Sequence, residues 1–369
     1  MDNVSYSVPV HLNLMAQLYY NIIFSILQLL FYKLFFKEFG RMGINIMGLG
    51  CYVPEQKLTN NDFTRFVETN DEWIRTRTGI VERHMAGWEP TWYMGTQASL
   101  KAIENSGISP KDIGLVISST ATSDFHTPSM ASVIQDKTGA VNAAAFDINA
   151  ACTGFIYALD VARRFLETDD NMKYILVVAN EALSRFIDFE DRGSCILFGD
   201  GAAAVVVEKS SKLYSSHLAS DGSGAPYLCA RALQVAPEVK IEKDFNDGFT
   251  DNPLHKLYQN GKEVYKFATH VLPKSFEIIS EKIGITKDDI DWFIPHQANV
   301  RIIETSAKKL GVSMDKFIVT LDHYGNTSSA SIPLALAESI ENGKIKRGQK
   351  LALIGFGAGL TYGGIVLEY

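Results

Sequence analysis

The chain has 369 residues, 46% of them hydrophobic and 21% charged, a composition typical of a folded protein with a large core. The net charge of −7, without a basic run in the body of the chain, argues against a nucleic-acid partner. Four widely spaced cysteines form no CxxC or Cys/His cluster: Cys51, Cys152, Cys195 and Cys229. Neither a metal site nor a disulfide framework is therefore predicted, and a reducing, cytoplasmic location is expected.

The first 41 residues differ from the rest. Leu14–Phe36 is rich in Leu, Ile, Phe and Tyr and is about as long as a membrane span, so an anchor is one interpretation. A secretory signal is not indicated, because the start carries Asp2 instead of basic residues and no A-x-A site follows. We favour a third interpretation, in which synthesis starts at Met42 and residues 1–41 are translated upstream sequence, because Gly43–Gly50 already has the pattern of a core strand. A membrane partner is therefore not expected.

Residues 60–84 predict two helices, the second of them capped by Asp71. Trp73 and three arginines in this segment would give an aromatic and cationic surface: Arg75, Arg77 and Arg83. Taken alone, a solvated helix face with one packing tryptophan is the simpler explanation.

Beyond residue 90, apolar runs of strand length alternate with amphipathic segments of helix length. The predicted strands are Leu115–Thr120, Ala144–Ile148, Tyr174–Ala179, Gly199–Glu208, Trp292–Ile294, Phe317–Leu321, Leu351–Gly355 and Gly363–Glu368. The predicted helices are Tyr93–Ser106, Ser129–Thr138, Gly261–Ile283, Val300–Leu310, Ile332–Asn342 and one that follows Cys152. This alternation predicts a largely parallel or mixed sheet buried between helices.

Cys152 lies in a run of small residues, Asp147–Phe155 (DINAACTGF), between a predicted strand and a predicted helix. That helix has apolar residues at helical spacing: Phe155, Ala158, Leu159, Ala162 and Phe165. Free amides and the positive dipole end at its start would favour a thiolate, and small neighbours leave room for a thioester. A lone cysteine in such a turn is nevertheless more often an inert core residue.

The two halves of the chain match at a constant offset of 177 residues (284 − 107), which pairs Gly107-Ile108 with Gly284-Ile285. The same offset carries the Cys152 turn onto residues 326–329. One shift that also preserves the predicted type of element indicates an internal repeat and a pseudo-twofold fold. Corresponding turns of the halves would then face each other across one central site.

Two further polar residues fall on such turns. His296 lies in PHQAN, after the strand Trp292–Ile294, and Asn326 lies in HYGNTSS, after the predicted strand Phe317–Leu321. A histidine at a strand end is usually structural, and an asparagine before Thr and Ser is usually a turn or cap residue. Both residues lie on turns equivalent to that of Cys152, which weakens the interpretation of His296 as structural and of Asn326 as a turn or cap residue.

These motifs carry a resemblance. Six segments of Met42–Tyr369 are similar to β-ketoacyl-[acyl-carrier-protein] synthase III. They are DINAACTGF, WFIPHQANVRII, HYGNTSSASIPLAL, DRGSCILFGDGAAAVV, DEWIRTRTGIVERH and the terminal GFGAGLTYGG. The resemblance implies an α/β thiolase-like fold, with two pseudo-symmetric βαβ halves in α-β-α-β-α layers. The halves are expected at residues 42–215, with the nucleophile, and 216–369, with His296 and Asn326.

The resemblance also implies the chemistry. Cys152 would take an acyl group from an acyl-CoA primer, and His296 with Asn326 would stabilise the enolate formed when malonyl-[acyl-carrier protein] loses CO₂. Backbone amides of Cys152 and Gly357 would form the oxyanion hole. No cofactor is implied beyond the substrates, and no metal.

The remaining implied residues lie around the entrance. Those expected to contact CoA are Trp73, Arg77, Arg192, Gly261 and Asn299. Those expected to contact the acyl carrier protein are Arg301, Lys308 and Lys309, which are explained equally well as a solvated helix face. A homodimer is implied, in which Thr127 stands where some members place a Phe that closes the partner's acyl pocket, so longer or branched primers are expected.

Three alternatives stay open. An acyltransferase of the same fold would acylate an amine or alcohol, but it needs no pair of enolate-stabilising donors. A condensing enzyme of secondary metabolism would share every motif. A membrane-tethered scaffold is suggested only by Leu14–Phe36 and leaves the Cys, His and Asn set unexplained.

Overall fold

The computed structural model describes residues 42–231 and 256–369. The apolar stretch Leu14–Phe36 lies outside the described residues. One compact unit comprises Gly43–Tyr369. Within the two described ranges, no helix is long and apolar enough to cross a bilayer.

Thirteen strands and nine α-helices are found in the described ranges. The strands are β1 Gly43–Tyr52, β2 Lys57–Thr59, β3 Glu82–His84, β4 Ile113–Ser119, β5 Ala144–Ile148, β6 Tyr174–Glu181, β7 Gly201–Ser210, β8 Tyr214–Ser220, β9 Leu228–Ala230, β10 Leu257–Gln259, β11 Trp292–Pro295, β12 Lys350–Gly357 and β13 Thr361–Glu368. The helices are α1 Asp71–Thr78, α2 Thr91–Ser106, α3 Met130–Thr138, α4 Gly154–Thr168, α5 Arg192–Cys195, α6 Gly261–Ile283, α7 Val300–Leu310, α8 Leu321–Tyr324 and α9 Ser331–Glu341.

The strands form two main sheets with matching topology. The first has the order β1-β7-β6-β4-β5 and the second the order β8-β13-β12-β11. Helices α4 and α9 pack between the sheets in the central apolar core. Helices α2 and α3 cover the outer face of the first sheet, and α6 and α7 cover that of the second. The predicted α-β-α-β-α layering is confirmed.

The internal repeat is visible element by element. Helices α2 and α6 end at Ser106 and Ile283, which are 177 residues apart (283 − 106). The same offset relates the 3₁₀ turns Ala151–Thr153 and Ser328–Ala330, which introduce α4 and α9. Both turns begin with a non-glycine residue at positive φ, 45° at Ala151 and 51° at Ser328. The two turns therefore share an uncommon backbone geometry as well as a sequence offset.

The predicted strand Phe317–Leu321 is wrong. Only Phe317 bridges to Phe293 on β11, and Leu321 already begins α8. The Gln297 side chain takes over part of the ladder, because its amide donates to the Ile318 carbonyl and its oxygen accepts the Thr320 amide (3.1 and 3.0 Å). A side chain that satisfies these backbone groups removes the need for a fifth strand.

Three smaller expectations are also corrected. Asn70, not Asp71, caps α1, because its side chain accepts the Trp73 amide at 2.8 Å. Arg83 is fully buried, with its guanidinium donating to Asn60 and stacked on Phe63, so it forms no part of a surface. Phe165 on α4 is 38% exposed, unlike the other apolar residues predicted for that face.

The division between the halves at residues 215 and 216 falls inside β8. Because β8 pairs with β13, the whole of this strand contributes to the second sheet.

Candidate active site

A cavity of about 640 Å³ opens between the two halves. Cys152 lines it from the first half, and His296 and Asn326 line it from the second. Four residues predicted to contact CoA also line it: Trp73, Arg77, Gly261 and Asn299. The structure thus brings together three residues that are far apart in sequence, as the repeat predicts.

Close backbone packing sets the position of Cys152. It occupies the 3₁₀ turn between β5 and α4. A Cβ on Gly154 would lie 2.0 Å from the Ser119 hydroxyl, and one on Gly357 would lie 2.7 Å from the Cys152 amide nitrogen. Glycine is required at both positions because any side chain would push the turn away from its neighbours. The end of β12 therefore lies directly against the cysteine.

The environment of the Cys152 thiol differs from the sequence-based expectation. Burial raises the pKa of Cys152 to about 12, although a hydrogen bond with Ser328 opposes the rise. Protein atoms surround the thiol even though the cavity leaves it partly accessible. The prediction of a resting thiolate is therefore wrong, because desolvation outweighs the favourable effect of the helix start.

Alkylation of Cys152 is expected to be slow at neutral pH and to accelerate about tenfold for each pH unit from 7 to 9, because the thiolate fraction grows at that rate below a high pKa. Peptide mass spectrometry after timed exposure to iodoacetamide measures the rate. A plateau below pH 8 would contradict the raised pKa.

His296 is held as a neutral imidazole. It follows β11, is 1% exposed, and burial lowers its pKa to about 3. Its Nδ1 lies 2.7 Å from the Ser331 hydroxyl, which also accepts the Gln297 amide at 3.3 Å. Its Nε2 has no hydrogen-bond partner among residues 42–231 and 256–369, and the Phe356 ring packs edge-on against the imidazole. A serine hydroxyl can donate to Nδ1 or accept from it, so either ring nitrogen can carry the proton.

Asn326 is fixed at both its backbone and its side chain. Its amide donates to the Leu197 carbonyl at 2.9 Å, and its carbonyl accepts the Gly199 amide at 3.0 Å. Its side-chain Oδ1 accepts the Ser328 amide at 2.9 Å. Because Oδ1 is occupied by this hydrogen bond within the turn, the Nδ2 group of the side-chain amide is the donor available to the cavity.

Aromatic and cationic groups flank the cavity entrance. The guanidiniums of Arg77 and Arg192 lie 4.4 and 4.8 Å from the centre of the Trp73 ring. Arg192 does not line the cavity itself but reaches it through this contact. Asn299 caps α7 with its side chain (2.9 Å to the Arg301 amide), and Gly261 begins α6. An aromatic plane beside two guanidiniums can bind a purine and its phosphates.

The other predicted residues lie outside the cavity. Arg301 donates to the Thr76 carbonyl and Lys309 to the Thr269 carbonyl, at 2.9 and 2.8 Å, while Lys308 is exposed. Thr127 is exposed on the loop before α3 and does not line this chain's own cavity. In residues 42–231 and 256–369, no group of His, Cys, Asp or Glu side chains has the arrangement of a metal site.

Three residues that contact the site were not anticipated: Glu181, Ser328 and Ser331. The sequence does contain a signal that could have identified Glu181. This residue ends a mostly apolar buried strand (YILVVANE), where an acidic side chain is costly. The serines follow Asn326 in NTSSAS, and nothing in the sequence separates their roles from ordinary helix capping.

Comparison with known proteins gives one consistent result. Residues 146–222 match the family described as 3-oxoacyl-[acyl-carrier-protein (ACP)] synthase III, and residues 280–369 match its C-terminal part. A β-ketoacyl-[acyl-carrier-protein] synthase III of Clostridium acetobutylicum is 47% identical over 328 residues, which cover 88% of this chain and 98% of the relative.

Solved structures agree. The 3-oxoacyl-[acyl-carrier-protein] synthase III of Aquifex aeolicus superposes with a TM-score of 0.81 at 40% identity, covering 89% of this chain and all of that one. The priming β-ketosynthase of the R1128 polyketide pathway superposes with a TM-score of 0.78 at 35% identity, covering 89% and 96%. The chain, with its thiolase-like fold and its cysteine, histidine and asparagine around one cavity, therefore belongs to the β-ketoacyl-[acyl-carrier-protein] synthase III family of condensing acyltransferases.

Proposed function

We propose that this enzyme joins an acyl-CoA primer to malonyl-[acyl carrier protein] through an acyl-Cys152 intermediate, and so initiates fatty acid synthesis. The observation that carries the proposal is the meeting of Cys152, His296 and Asn326 in one cavity. A nucleophile beside two neutral donors suits a reaction that forms a thioester and then an enolate.

In the first half-reaction, the Cys152 sulfur attacks the primer's thioester carbonyl and the bond to the CoA sulfur breaks. The thiol proton must leave Cys152, because the resting group is protonated. That proton passes to the departing CoA sulfur as the bond from the Cys152 sulfur to the acyl carbon forms and the bond to CoA breaks. His296 remains a neutral imidazole throughout, with Ser331 donating to Nδ1 and the proton on Nε2. Acyl-Cys152 and CoA thiol are the balanced products.

In the second half-reaction, malonyl thioester loses CO₂ and its electron pair forms an enolate. The Nε2–H of His296, whose Nδ1 accepts from Ser331, and the Nδ2–H of Asn326 stabilise the enolate oxygen. The enolate carbon attacks acyl-Cys152, and backbone amides of Cys152 and Gly357 bind the tetrahedral oxyanion. The cysteine sulfur leaves and regains a proton, which balances the step without a metal or organic cofactor.

Substrate entry follows from the residues at the cavity mouth. Trp73 would stack on the adenine, Arg77 and Arg192 would bind CoA phosphates, and Gly261 and Asn299 would border the pantetheine arm. For the acidic carrier protein we propose the exposed cations at and near α7: Arg301, Lys308 and Lys309. The free thiols of Cys51, Cys152 and Cys195 and these intracellular substrates support a cytoplasmic location.

A second copy of this chain is the proposed partner at β5. Within the described ranges β5 pairs only with β4, which leaves its other edge open. Apolar side chains near that edge are exposed, including Val141 at 62% and Phe165 at 38%. An open edge beside exposed apolar residues favours pairing across a twofold axis. Light scattering of the purified protein measures the expected dimer mass.

Replacing Thr127 with Phe is expected to narrow primer choice, reducing octanoyl-CoA and isobutyryl-CoA turnover at least about tenfold relative to acetyl-CoA, because one larger side chain fills the partner's acyl pocket. Competition assays with the three primers measure the ratio. Phe125→Ala on the same exposed loop is the matched control. A wild-type enzyme already strict for acetyl-CoA would contradict the open gate.

Two assays test the proposed function directly. Intact mass after incubation with acyl-CoAs reports acyl-Cys152, and CO₂ release from malonyl-[acyl carrier protein] reports the enolate step. Acylation without CO₂ release would instead support an acyltransferase that does not condense. A condensing enzyme of secondary metabolism is the second candidate, favoured by the likeness to the R1128 priming enzyme. Preference for a carrier protein from a polyketide pathway over one from fatty acid synthesis would support it.

A further inference from the structure

A buried carboxylate that the proposed chemistry does not use lies beside the cavity. Glu181 is the last residue of β6 and is fully buried. Its Oε1 accepts hydrogen bonds from Ser329 and Ser328, at 2.7 and 3.0 Å. Its Oε2 accepts hydrogen bonds from the Thr122 hydroxyl and the Ala121 amide, at 2.7 and 3.1 Å. These partners are all uncharged, so the position is costly unless it serves a purpose.

The two oxygens of Glu181 join two different turns. Ala121 and Thr122 belong to the turn after β4 in the first half, and Ala121 lines the cavity. Ser328 and Ser329 belong to the turn that follows Asn326 in the second half. The carboxylate therefore ties both halves together at the rear of the site. Thr122 is itself fixed, because its hydroxyl accepts the Ala182 amide at 2.8 Å.

The link to Asn326 runs through Ser328. The Ser328 amide holds the Asn326 Oδ1, and its hydroxyl donates to Glu181. Ser328 has φ of 51°, in the left-handed region that a residue with a Cβ rarely adopts. A strained residue persists only where surrounding contacts hold it. Hydrogen bonds from Ser328 and Ser329 to Glu181 anchor the turn to β6, and Ser329 also lies 3.2 Å from the Ser119 carbonyl at the end of β4.

We propose that Glu181 is a positioning residue for the enolate step, because it holds Ser328 in the conformation that keeps the Asn326 side-chain Nδ2 directed into the cavity. This inference rests on the proposed function, in which Asn326 stabilises the enolate. It predicts an effect on decarboxylation that exceeds any effect on acylation of Cys152. A glutamine of equal size supplies only one accepting oxygen, so it cannot accept donors from both turns.

A double-mutant cycle between Glu181 and Asn326 tests the proposal. Glu181→Gln is expected to slow CO₂ release from malonyl-[acyl carrier protein] at least about tenfold. The Glu181 charge raises the pKa of Cys152 and the Ser328 hydrogen bond lowers it, so weakening both has opposing effects on the thiol, and the rate of Cys152 acylation is expected to stay within about threefold. Asn326→Ala is expected to slow CO₂ release further. Adding Glu181→Gln to Asn326→Ala should then change the rate less than about twofold, because the route through Asn326 is already lost.

The proposal would be overturned if the double variant slows CO₂ release by the product of the two single effects. It would also be overturned if Glu181→Gln slows acylation of Cys152 and CO₂ release by the same factor. Asp160→Asn is the matched control, since Asp160 is another fully buried carboxylate but bonds Ser216 and Arg164 away from the cavity. It should leave the ratio of the two rates unchanged. Should Glu181→Gln fail to fold, Glu181→Asp, too short to reach both turns, enters the same cycle with the same criteria.

The cycle also separates this proposal from the function it rests on. If the wild-type enzyme releases no CO₂, or if Asn326→Ala keeps the wild-type rate, the assignment of the enolate step fails and the role of Glu181 fails with it. If both behave as expected and the effects multiply, only the role of Glu181 is lost.

Discussion

Replacing Cys152 with alanine is expected to abolish the acyl-enzyme and to lower the condensation rate by at least about 10⁴-fold, because loss of a nucleophile removes the whole covalent route. Release of CO₂ from malonyl-[acyl carrier protein] should persist, since its enolate is stabilised by His296 and Asn326, whose contacts do not include the thiol. Intact mass, product formation and CO₂ release measured on the same preparation check the three expectations.

Cys51→Ala is the matched control for that experiment. Cys51 is a half-buried free thiol that does not line the cavity. The variant should acylate and condense at rates close to those of the wild-type enzyme. An acyl adduct that survives in Cys152→Ala, or one that disappears in Cys51→Ala, would place the nucleophile elsewhere.

Replacing Gly357 with alanine is expected to reduce condensation at least about 100-fold. The added methyl would lie 2.7 Å from the Cys152 nitrogen and 3.2 Å from its Cβ, so the backbone on one side must move. Overpacking costs about 1–3 kcal/mol, and a displacement near 1 Å at a reacting group costs about 10²-fold in rate. The loss should appear in kcat more than in CoA affinity, because Trp73 and Arg77 lie at the cavity entrance. Steady-state kinetics and CoA titration measure the two quantities.

Gly222→Ala controls for a glycine substitution as such. A Cβ at Gly222 meets no atom of the described residues within 4 Å, and the φ of Gly222 is not in the left-handed region. Activity equal to wild type is expected. Near-normal kcat for Gly357→Ala would show that the Cys152 turn tolerates displacement and would remove Gly357 from the oxyanion hole.

The sequence predicted most of the long strands and helices, and its motifs, through the family resemblance, predicted the three central residues. Periodicity located β5 and α2 closely, since Ala144–Ile148 is reproduced and the helix ends at Ser106 as expected. The offset of 177 residues predicts that the turns carrying Cys152, His296 and Asn326 face one central site. This worked because a repeated chain path carries corresponding turns to corresponding places.

Contacts between distant residues decided what the sequence could not. The segment at Phe317 has a strand-like composition, yet the Gln297 side chain occupies its hydrogen bonds. Arg83 resembles a surface cation, yet it is buried against Phe63 and Asn60. In each case a residue distant in the chain provides the hydrogen-bond partner. Gln297 bonds backbone groups that a neighbouring strand would otherwise bond, and Asn60 bonds a guanidinium that water would otherwise solvate.

By itself the sequence determined which residues meet, because apolar periodicity and the repeat are properties of the chain read in order. Only the tertiary structure decided their chemical state. Burial between the packed halves raises the pKa of the Cys152 thiol and lowers the pKa of His296. Ser328 holds the Asn326 side-chain oxygen, which leaves the Nδ2 amide group as the donor for the cavity. Desolvation and hydrogen-bond assignment depend on every neighbour in space, and a linear pattern does not contain them.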